Sequence, residues 1–156
     1  MNHFFVPPSA IQAGGIHFPA DISAQITRVL RLQDGDVVLV LDDLGNAFEV
    51  QLESLSTKEC QGKVIRQYPA ENEPKTALVL LVCLTQREKF EWILQKGTEL
   101  GVSAFMPVVS SRTLIQKIEE GSEKTARWQR ILKEAAEQCE RGRVPKLLPP
   151  MHLKNA

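Results

Sequence analysis

Short apolar runs separated by turn residues fill the first 68 residues and predict a small β-domain. Five runs have the composition of strands: HFFV, GIHF, VVLVL, AFEVQLE and CQGKVIRQY. The stretches DGD and DDLGN fall between consecutive runs, where Gly and Asp favour tight turns. Residues 1–68 are therefore expected to form a β-barrel or sandwich.

The segment SAQITRVLRL interrupts these strands with helical spacing. Its apolar positions fit a short helix that leads into the next strand, and they are Ala24, Ile26, Val29 and Leu30. Arg28 and Arg31 would then lie about one helical turn apart.

A polar segment with two prolines, residues 69–76, predicts a linker, and the pattern changes after it. The run ALVLLVCL is continuously apolar, which is typical of a parallel strand buried on both faces. A helix is predicted next, closed by Gly101, and its apolar positions are Phe90, Ile93, Leu94, Gly97 and Leu100. The strand VSAFMPVV follows, so the unit is βαβ.

A second helix is predicted after the polar loop SSRTLIQKIEEGS. Its apolar face comprises Trp128, Ile131, Leu132, Ala135, Ala136 and Cys139. Gly142 and Pro145 are expected to end it, and KLLPP predicts another short strand. Two helices cannot cover both faces of a parallel sheet, so residues 77–156 are expected to form the first half of an α/β domain. The fold class predicted is α+β with two domains.

Charge is unevenly distributed along a chain of 156 residues whose net charge is zero. Residues 1–68 hold five Lys and Arg against eight Asp and Glu, a net charge of −3. Residues 75–156 hold fourteen against nine, a net charge of +5. The overall balance argues against indiscriminate coating of nucleic acid, whereas the basic second part permits a polyanionic partner.

The sequence lacks the motifs that mark several functional classes of protein. The three cysteines have no CxxC spacing, so neither a disulfide framework nor a zinc site is predicted, and no metal is expected. No GxGxxG, P-loop, HExxH or GxSxG motif occurs. His3, His17 and His152 are isolated in the sequence. Without a signal-peptide pattern or a long apolar span, the expectation is a cytoplasmic protein with no membrane contact.

Two groups of polar residues are spaced so that each could form part of a binding site. Glu134, Glu137, Gln138 and Arg141 form a stripe on the second helix, which is either a solvated face with a Glu137–Arg141 ion pair or a binding surface. Lys96 and Glu99 lie in the last turn of the first helix, and Arg112 follows the next strand. These three are either a surface pair and a loop arginine or part of a site, because ligands gather beyond the carboxyl ends of parallel strands.

Three blocks make the chain resemble the RsmE family, bacterial enzymes that methylate N3 of a uridine in 16S rRNA. The blocks are VLRLQDGD, REKFEWILQKGTELGVSAFMPVVSSRT and RWQRILKEAAEQCERGRVPKLLPP. The resemblance implies a PUA-like RNA-binding β-barrel followed by a SPOUT-class domain of the trefoil-knot type. It also implies S-adenosylmethionine as cofactor, the small ribosomal subunit as partner, and a homodimer for the complete protein.

The resemblance also assigns site residues. Five arginines are expected to contact RNA or substrate: Arg28, Arg31, Arg112, Arg141 and Arg143. Supporting or motif positions are Lys96, Glu99, Glu137 and Gln138. No general base is assigned.

The family's GPEGG loop and RILR-x-ETA segment do not occur in these residues. The resemblance therefore implies that the chain carries no cofactor-binding residues and is catalytically incomplete by itself. The alternatives are a non-catalytic RNA-binding fragment and a protein-interaction fragment.

Overall fold

The computed structural model describes residues 1–113 and 121–155, so residues 114–120 of the predicted polar loop lie outside the description. The chain divides into two compact units. The first comprises residues 1–72 together with 140–143, and the second comprises residues 73–139 and 144–156. Among the described residues, no helix has the length and apolarity needed to cross a bilayer.

The first unit is a curled six-stranded sheet. Its strands are β1 (His3–Phe5), β2 (Ile11–Gln12), β3 (Gly15–Phe18), β4 (Val37–Leu41), β5 (Asn46–Leu55) and β6 (Cys60–Pro69). The order is β1-β4-β5-β6-β3-β2, and every pairing is antiparallel except β1 with β4. All five predicted strands are present. Their inward positions form one apolar core, in which Ile26, Val38, Val40, Val50 and Cys60 are fully buried.

The predicted helix of this unit is only partly correct. A short helix α1 (Ala20–Ala24) passes into a π-helical turn, Gln25–Val29. The wider π turn accommodates one more residue than an α-turn and rotates the following side chains. As a result Ile26 is fully buried, whereas Val29, another apolar position of the predicted helix, is 72% exposed.

The second unit is a parallel sheet with two helices. Its elements are β7 (Val79–Cys83), α2 (Arg87–Glu99), β8 (Ala104–Val109), α3 (Glu123–Gln138), β9 (Lys146–Leu147) and β10 (Met151–His152). β8 is central, with β7 on one side and both β9 and β10 on the other, all parallel to it. The predicted βαβ unit and the short strand in KLLPP are therefore confirmed.

The core of this unit joins the two helices to one face of the sheet. Phe90 of α2 and Trp128 of α3 are buried, and their rings lie 4.5 Å apart between centroids. Gly97 brings α2 close to the sheet, because an added Cβ would lie 2.7 Å from the Phe105 ring. Gly101 has the left-handed φ of 93° that a helix C-terminus uses, as predicted.

Three predictions about this unit were wrong. In β7, Val79 and Leu81 are each 47% exposed, so the strand is buried on one face only. Leu100 is 85% exposed, since it follows the last residue of α2 and points away from the core. The second helix ends at Gln138, where Cys139 leaves helical geometry, and therefore stops before Gly142.

Candidate nucleic-acid interface

The π-helical turn of the first unit displays two of the predicted arginines. Arg28 lies within the turn and Arg31 directly after it, and both are exposed beside Val29. Arg31 has a left-handed φ of 53°, so the two arginines do not follow one regular helical turn as predicted. They nevertheless belong to a single exposed segment of backbone.

Buried contacts hold this segment on the sheet. Ser23 has no exposed surface; its Oγ donates to the Phe18 carbonyl at 3.1 Å and accepts the Cys60 N–H at 2.9 Å. The Thr27 hydroxyl donates to the Ser23 carbonyl at 2.8 Å. The backbone that carries Arg28 is thus fixed to β3 and β6 before any ligand binds.

Arg143 also belongs to the first unit, where it contacts the turn between β4 and β5. Its Nη2 donates to the Leu44 carbonyl at 2.9 Å, and its guanidinium lies over the Cα of Gly45. The buried carboxylate of Asp42 shapes the turn, because it accepts the backbone N–H groups of Leu44 and Asn46 at 2.8 and 3.0 Å. Arg143 is otherwise exposed.

Arg141 is only 3% exposed, which contradicts the expectation of a solvated position. The helical spacing that placed it in a surface stripe ends at Gln138, and Glu140 turns the chain with a φ of 60°. Arg141 therefore does not continue the face of α3 on which Glu134 lies. Gly142 next to it is equally buried and leaves no room for a Cβ against Ala70.

Arg112 lies in a tight turn beyond the carboxyl end of β8. The Thr113 hydroxyl, which is largely buried, donates to the Ser110 carbonyl at 2.8 Å and accepts the Ser110 N–H at 3.2 Å. The Arg112 N–H donates to the Ser110 Oγ at 3.3 Å. The turn presents the Arg112 side chain to solvent.

A cleft of about 430 Å³ lies at the same edge of the sheet. It is lined by Val109, Ser110 and Ser111 at the end of β8 and by His152, Leu153 and Lys154 at the end of β10. Sequence reasoning missed His152 and Lys154, since an isolated histidine has no spacing signal. The available signal was the short strand before them, because a third parallel strand must end at this edge.

Lys96 and Glu99 form a bidentate ion pair with each other. The Lys96 Nζ lies 2.9 and 2.8 Å from the two carboxylate oxygens of Glu99. They lie near the start of β8, where the neighbouring Gly97 contacts Phe105, whereas Arg112 lies beyond its end. About 13 Å of strand separates Phe105 from the last residue of β8, so the structure does not bring these three predicted residues together.

The remaining predicted positions lie on α3. The Glu137 carboxylate is 3.9 Å from the Lys133 Nζ, one turn earlier on the helix. Gln138 is exposed and lines a groove between α2 and α3. Neither residue lies at the carboxyl edge of the sheet.

Among the described residues, the groups that suit a ligand are ones that commonly bind phosphates. The exposed guanidinium groups of Arg28, Arg31 and Arg112 lie on backbone segments that hydrogen bonds fix in place. Serine hydroxyls and Lys154 line the cleft. The described cleft residues include no aromatic ring that could pack on adenine other than His152, and no carboxylate that could bind ribose hydroxyls. We therefore assign no contact with S-adenosylmethionine to these residues.

Two family models match the chain in this order. An RNA methyltransferase PUA domain matches residues 26–65, and an RNA methyltransferase domain matches residues 71–156. The first match contains the exposed arginine segment, and the second contains the whole parallel sheet.

Curated relatives and solved structures agree with these models. The chain is 38% identical over 126 residues to the ribosomal RNA small subunit methyltransferase E of Synechocystis sp., covering 81% of this chain and 40% of that protein. It is 33% identical to the enzyme of the same name from Bacillus subtilis, covering 79% of this chain and 48% of the relative. The chain thus spans less than half the length of these two relatives.

The structure is also similar to that of the methyltransferase E of Neisseria gonorrhoeae, solved with S-adenosyl methionine bound. The TM-score is 0.85 at 28% identity, over 99% of this chain and 63% of the other. The fold class is thereby confirmed as a PUA-like β-domain followed by part of a SPOUT-type α/β domain, which defines a class of RNA methyltransferases. Within that class, the chain belongs to the RsmE family, the ribosomal RNA small subunit methyltransferases E.

Proposed function

We propose that this chain is the RNA-binding part of an enzyme that methylates N3 of a uridine in 16S rRNA. The observation that supports this most directly is the similarity to the S-adenosyl methionine complex of the Neisseria gonorrhoeae enzyme over 99% of the chain. The bound cofactor would supply an electrophilic methyl group to a uracil nitrogen that has lost its proton. The chain alone is proposed to lack the cofactor pocket and to be inactive.

The residues described here would bind and orient the RNA. Arg28 and Arg31 would contact phosphates from the PUA-like unit, and Arg112 would do so at the carboxyl edge of the parallel sheet. Guanidinium groups suit this task because each can donate two hydrogen bonds to one phosphate. Positioning of this kind contributes much of the rate in group transfer, since a misplaced base cannot meet the methyl group in line.

Arg141 and Arg143 receive different proposed roles. Arg143 is exposed where it binds the Leu44 carbonyl, and we propose that it contacts a phosphate from that position. Arg141 is 3% exposed, so we propose that it stabilises the segment that displays Arg143 rather than contacting RNA itself. Lys96 with Glu99, and Glu137 with Gln138, are proposed to support the ends of α2 and α3.

We further propose that the enzyme acts in the cytoplasm, on the small subunit, as a homodimer. The decisive assay uses the full product of the gene that encodes this chain, undermethylated small subunits and S-adenosylmethionine with a tritiated methyl group. Nucleoside digestion should release N3-methyluridine. A methyl group on another atom would refute the specificity, and no transfer at all would favour RNA binding without catalysis.

The chain itself provides a second test. Calorimetric titration with S-adenosylmethionine should give no saturable heat, whereas a labelled rRNA fragment should bind with strong salt dependence. Saturable cofactor binding would show that a pocket exists within residues 1–156.

A further inference from the structure

The outer face of the second unit carries an exposed tryptophan that its core does not require. Trp92 on α2 is 61% exposed, whereas Trp128 on α3 is 2% exposed and already fills the space next to Phe90. Trp92 lies in a groove of about 510 Å³ between the two helices, which we call the Trp92 groove. An aromatic ring held in solvent on a rigid helix is a feature that recognition surfaces use.

Ion pairs fix one wall of the Trp92 groove. Glu91 accepts two hydrogen bonds from Arg127, at 2.7 Å from Nε and 3.0 Å from Nη2, and one from the Arg87 Nε at 3.0 Å. The Arg127 contacts join α2 to α3, and Arg87 pairs with Glu91 within α2. Glu88 and Glu134 also line the groove, and both side chains are exposed. The hydrogen bonds and charge of Glu91, and after them the charge of Glu134, raise the pKa of Arg127, but Glu134 forms no direct ion pair with another described residue. Because both are exposed, their carboxylates can accept hydrogen bonds from a ligand that enters the groove.

We propose that the Trp92 groove binds an arginine-rich segment of a basic partner protein. A guanidinium group can stack on the indole ring and at the same time donate to a carboxylate beside it. This inference does not depend on the proposed methylation, because it concerns a different surface and a different ligand.

The same charges disfavour two other occupants. Phosphate groups of RNA would face Glu88 and Glu134, which repel them. A second copy of this chain, bound by the same groove across a two-fold axis, would place these carboxylates near their own symmetry mates. A cationic polypeptide meets neither penalty, and the positive charge of Arg127, which also lines the groove, is paired with Glu91.

Fluorescence anisotropy of a labelled peptide with four Gly-Arg repeats tests the proposal on the whole chain. We expect saturable binding that weakens roughly five- to tenfold in Trp92→Leu, which keeps an apolar side chain but removes the aromatic face. The double variant Glu88→Gln with Glu134→Gln should lose affinity to a similar extent. Glu53→Gln, an exposed carboxylate on β5 of the other unit, should bind like the parent.

The native tryptophans provide an independent readout. Peptide binding should protect Trp92 from acrylamide quenching, while buried Trp128 serves as an internal reference. Equal affinity of the parent, the Trp92 variant and the carboxylate variants would overturn the proposal. So would protection of Trp92 by a uridine-rich oligonucleotide instead of the peptide, or by self-association without any ligand, as judged by sedimentation.

Discussion

Replacing Glu91 by glutamine tests the ionic contacts that connect α2 and α3. The hydrogen bond from Arg127 and the further one from Arg87 lower the pKa of Glu91 from 4.5 to about 2. Glutamine retains the size of the side chain but removes its charge, so the substitution probes the ion pairs without opening a cavity. We expect a lower free energy of unfolding at neutral pH.

The size of the effect follows from this pKa. A folded-state value of about 2 instead of 4.5 corresponds to roughly 3.4 kcal/mol, at about 1.36 kcal/mol per pKa unit. The Glu91 side chain is 15% exposed, but those of Arg87 and Arg127 are 63% and 48% exposed, so solvent screens both pairs. We therefore expect a loss of about 1–2 kcal/mol.

The loss should depend on pH in a definite direction. Because folding depresses the pKa of Glu91, its contribution is complete above pH 4.5 and disappears as the pH falls towards about 2. Urea unfolding, followed by tryptophan fluorescence, should separate parent and variant near neutral pH, and the two should converge in acid. Glu88→Gln, one helical turn away, is the matched control and should change stability by less than about 0.5 kcal/mol. A difference in unfolding free energy that stays constant across this pH range would refute the reasoning, as would the absence of any difference at neutral pH.

Three further predictions concern packing and RNA binding. Gly97→Ala should destabilise the second unit by about 1–3 kcal/mol in urea unfolding, because the new Cβ would lie 2.7 Å from the Phe105 ring. Arg141→Ala should lower thermal stability, since it empties space at a residue that is only 3% exposed. The double variant Arg28→Ala with Arg31→Ala should reduce the slope of log affinity for RNA against log salt by about 1.4, without changing stability.

Each of these three has its own control. Gln95→Ala on the exposed side of α2 should leave stability within about 0.5 kcal/mol, and equal stability of Gly97→Ala would show that the helix can shift away from the sheet. If Arg141→Ala melts at the same temperature as the parent, burial of the Arg141 side chain contributes nothing to stability. An unchanged salt slope in the double arginine variant would show that the RNA-binding surface lies elsewhere.

The strands of the first unit could be predicted because turn residues separate short runs with strong β-propensity. The same reasoning was wrong about β7, because a continuously apolar run does not show whether one face or both are covered. Val29 was misplaced for a geometric reason. An apolar pattern read at 3.6 residues per turn assigns the wrong face once the helix becomes a π turn at Gln25–Val29.

The candidate site was predicted less well than the fold. Arg112 was identified from its place after a parallel strand, which topology alone determines. The burial of Arg141 could not be predicted, since its spacing from Glu137 continued a helix that in fact ends at Gln138. His152 could not be assigned to the cleft by residue spacing, because the parallel pairing of β10 with β8, which brings it there, involves partners more than forty residues apart in the chain.

In both units, a buried or largely buried hydroxyl group fixes the backbone next to an exposed arginine. The segment with Arg28 is fixed through the buried hydroxyl of Ser23, and the turn with Arg112 is fixed through the largely buried hydroxyl of Thr113. In each case the hydroxyl forms hydrogen bonds with backbone groups. These bonds restrict the main chain next to an exposed guanidinium group. Binding of a phosphate then orders only one long side chain, which costs less conformational entropy than ordering a loop as well. We therefore propose that a small number of arginines can position RNA in a chain whose net charge is zero, because their contribution depends on a fixed backbone and not on a large basic excess.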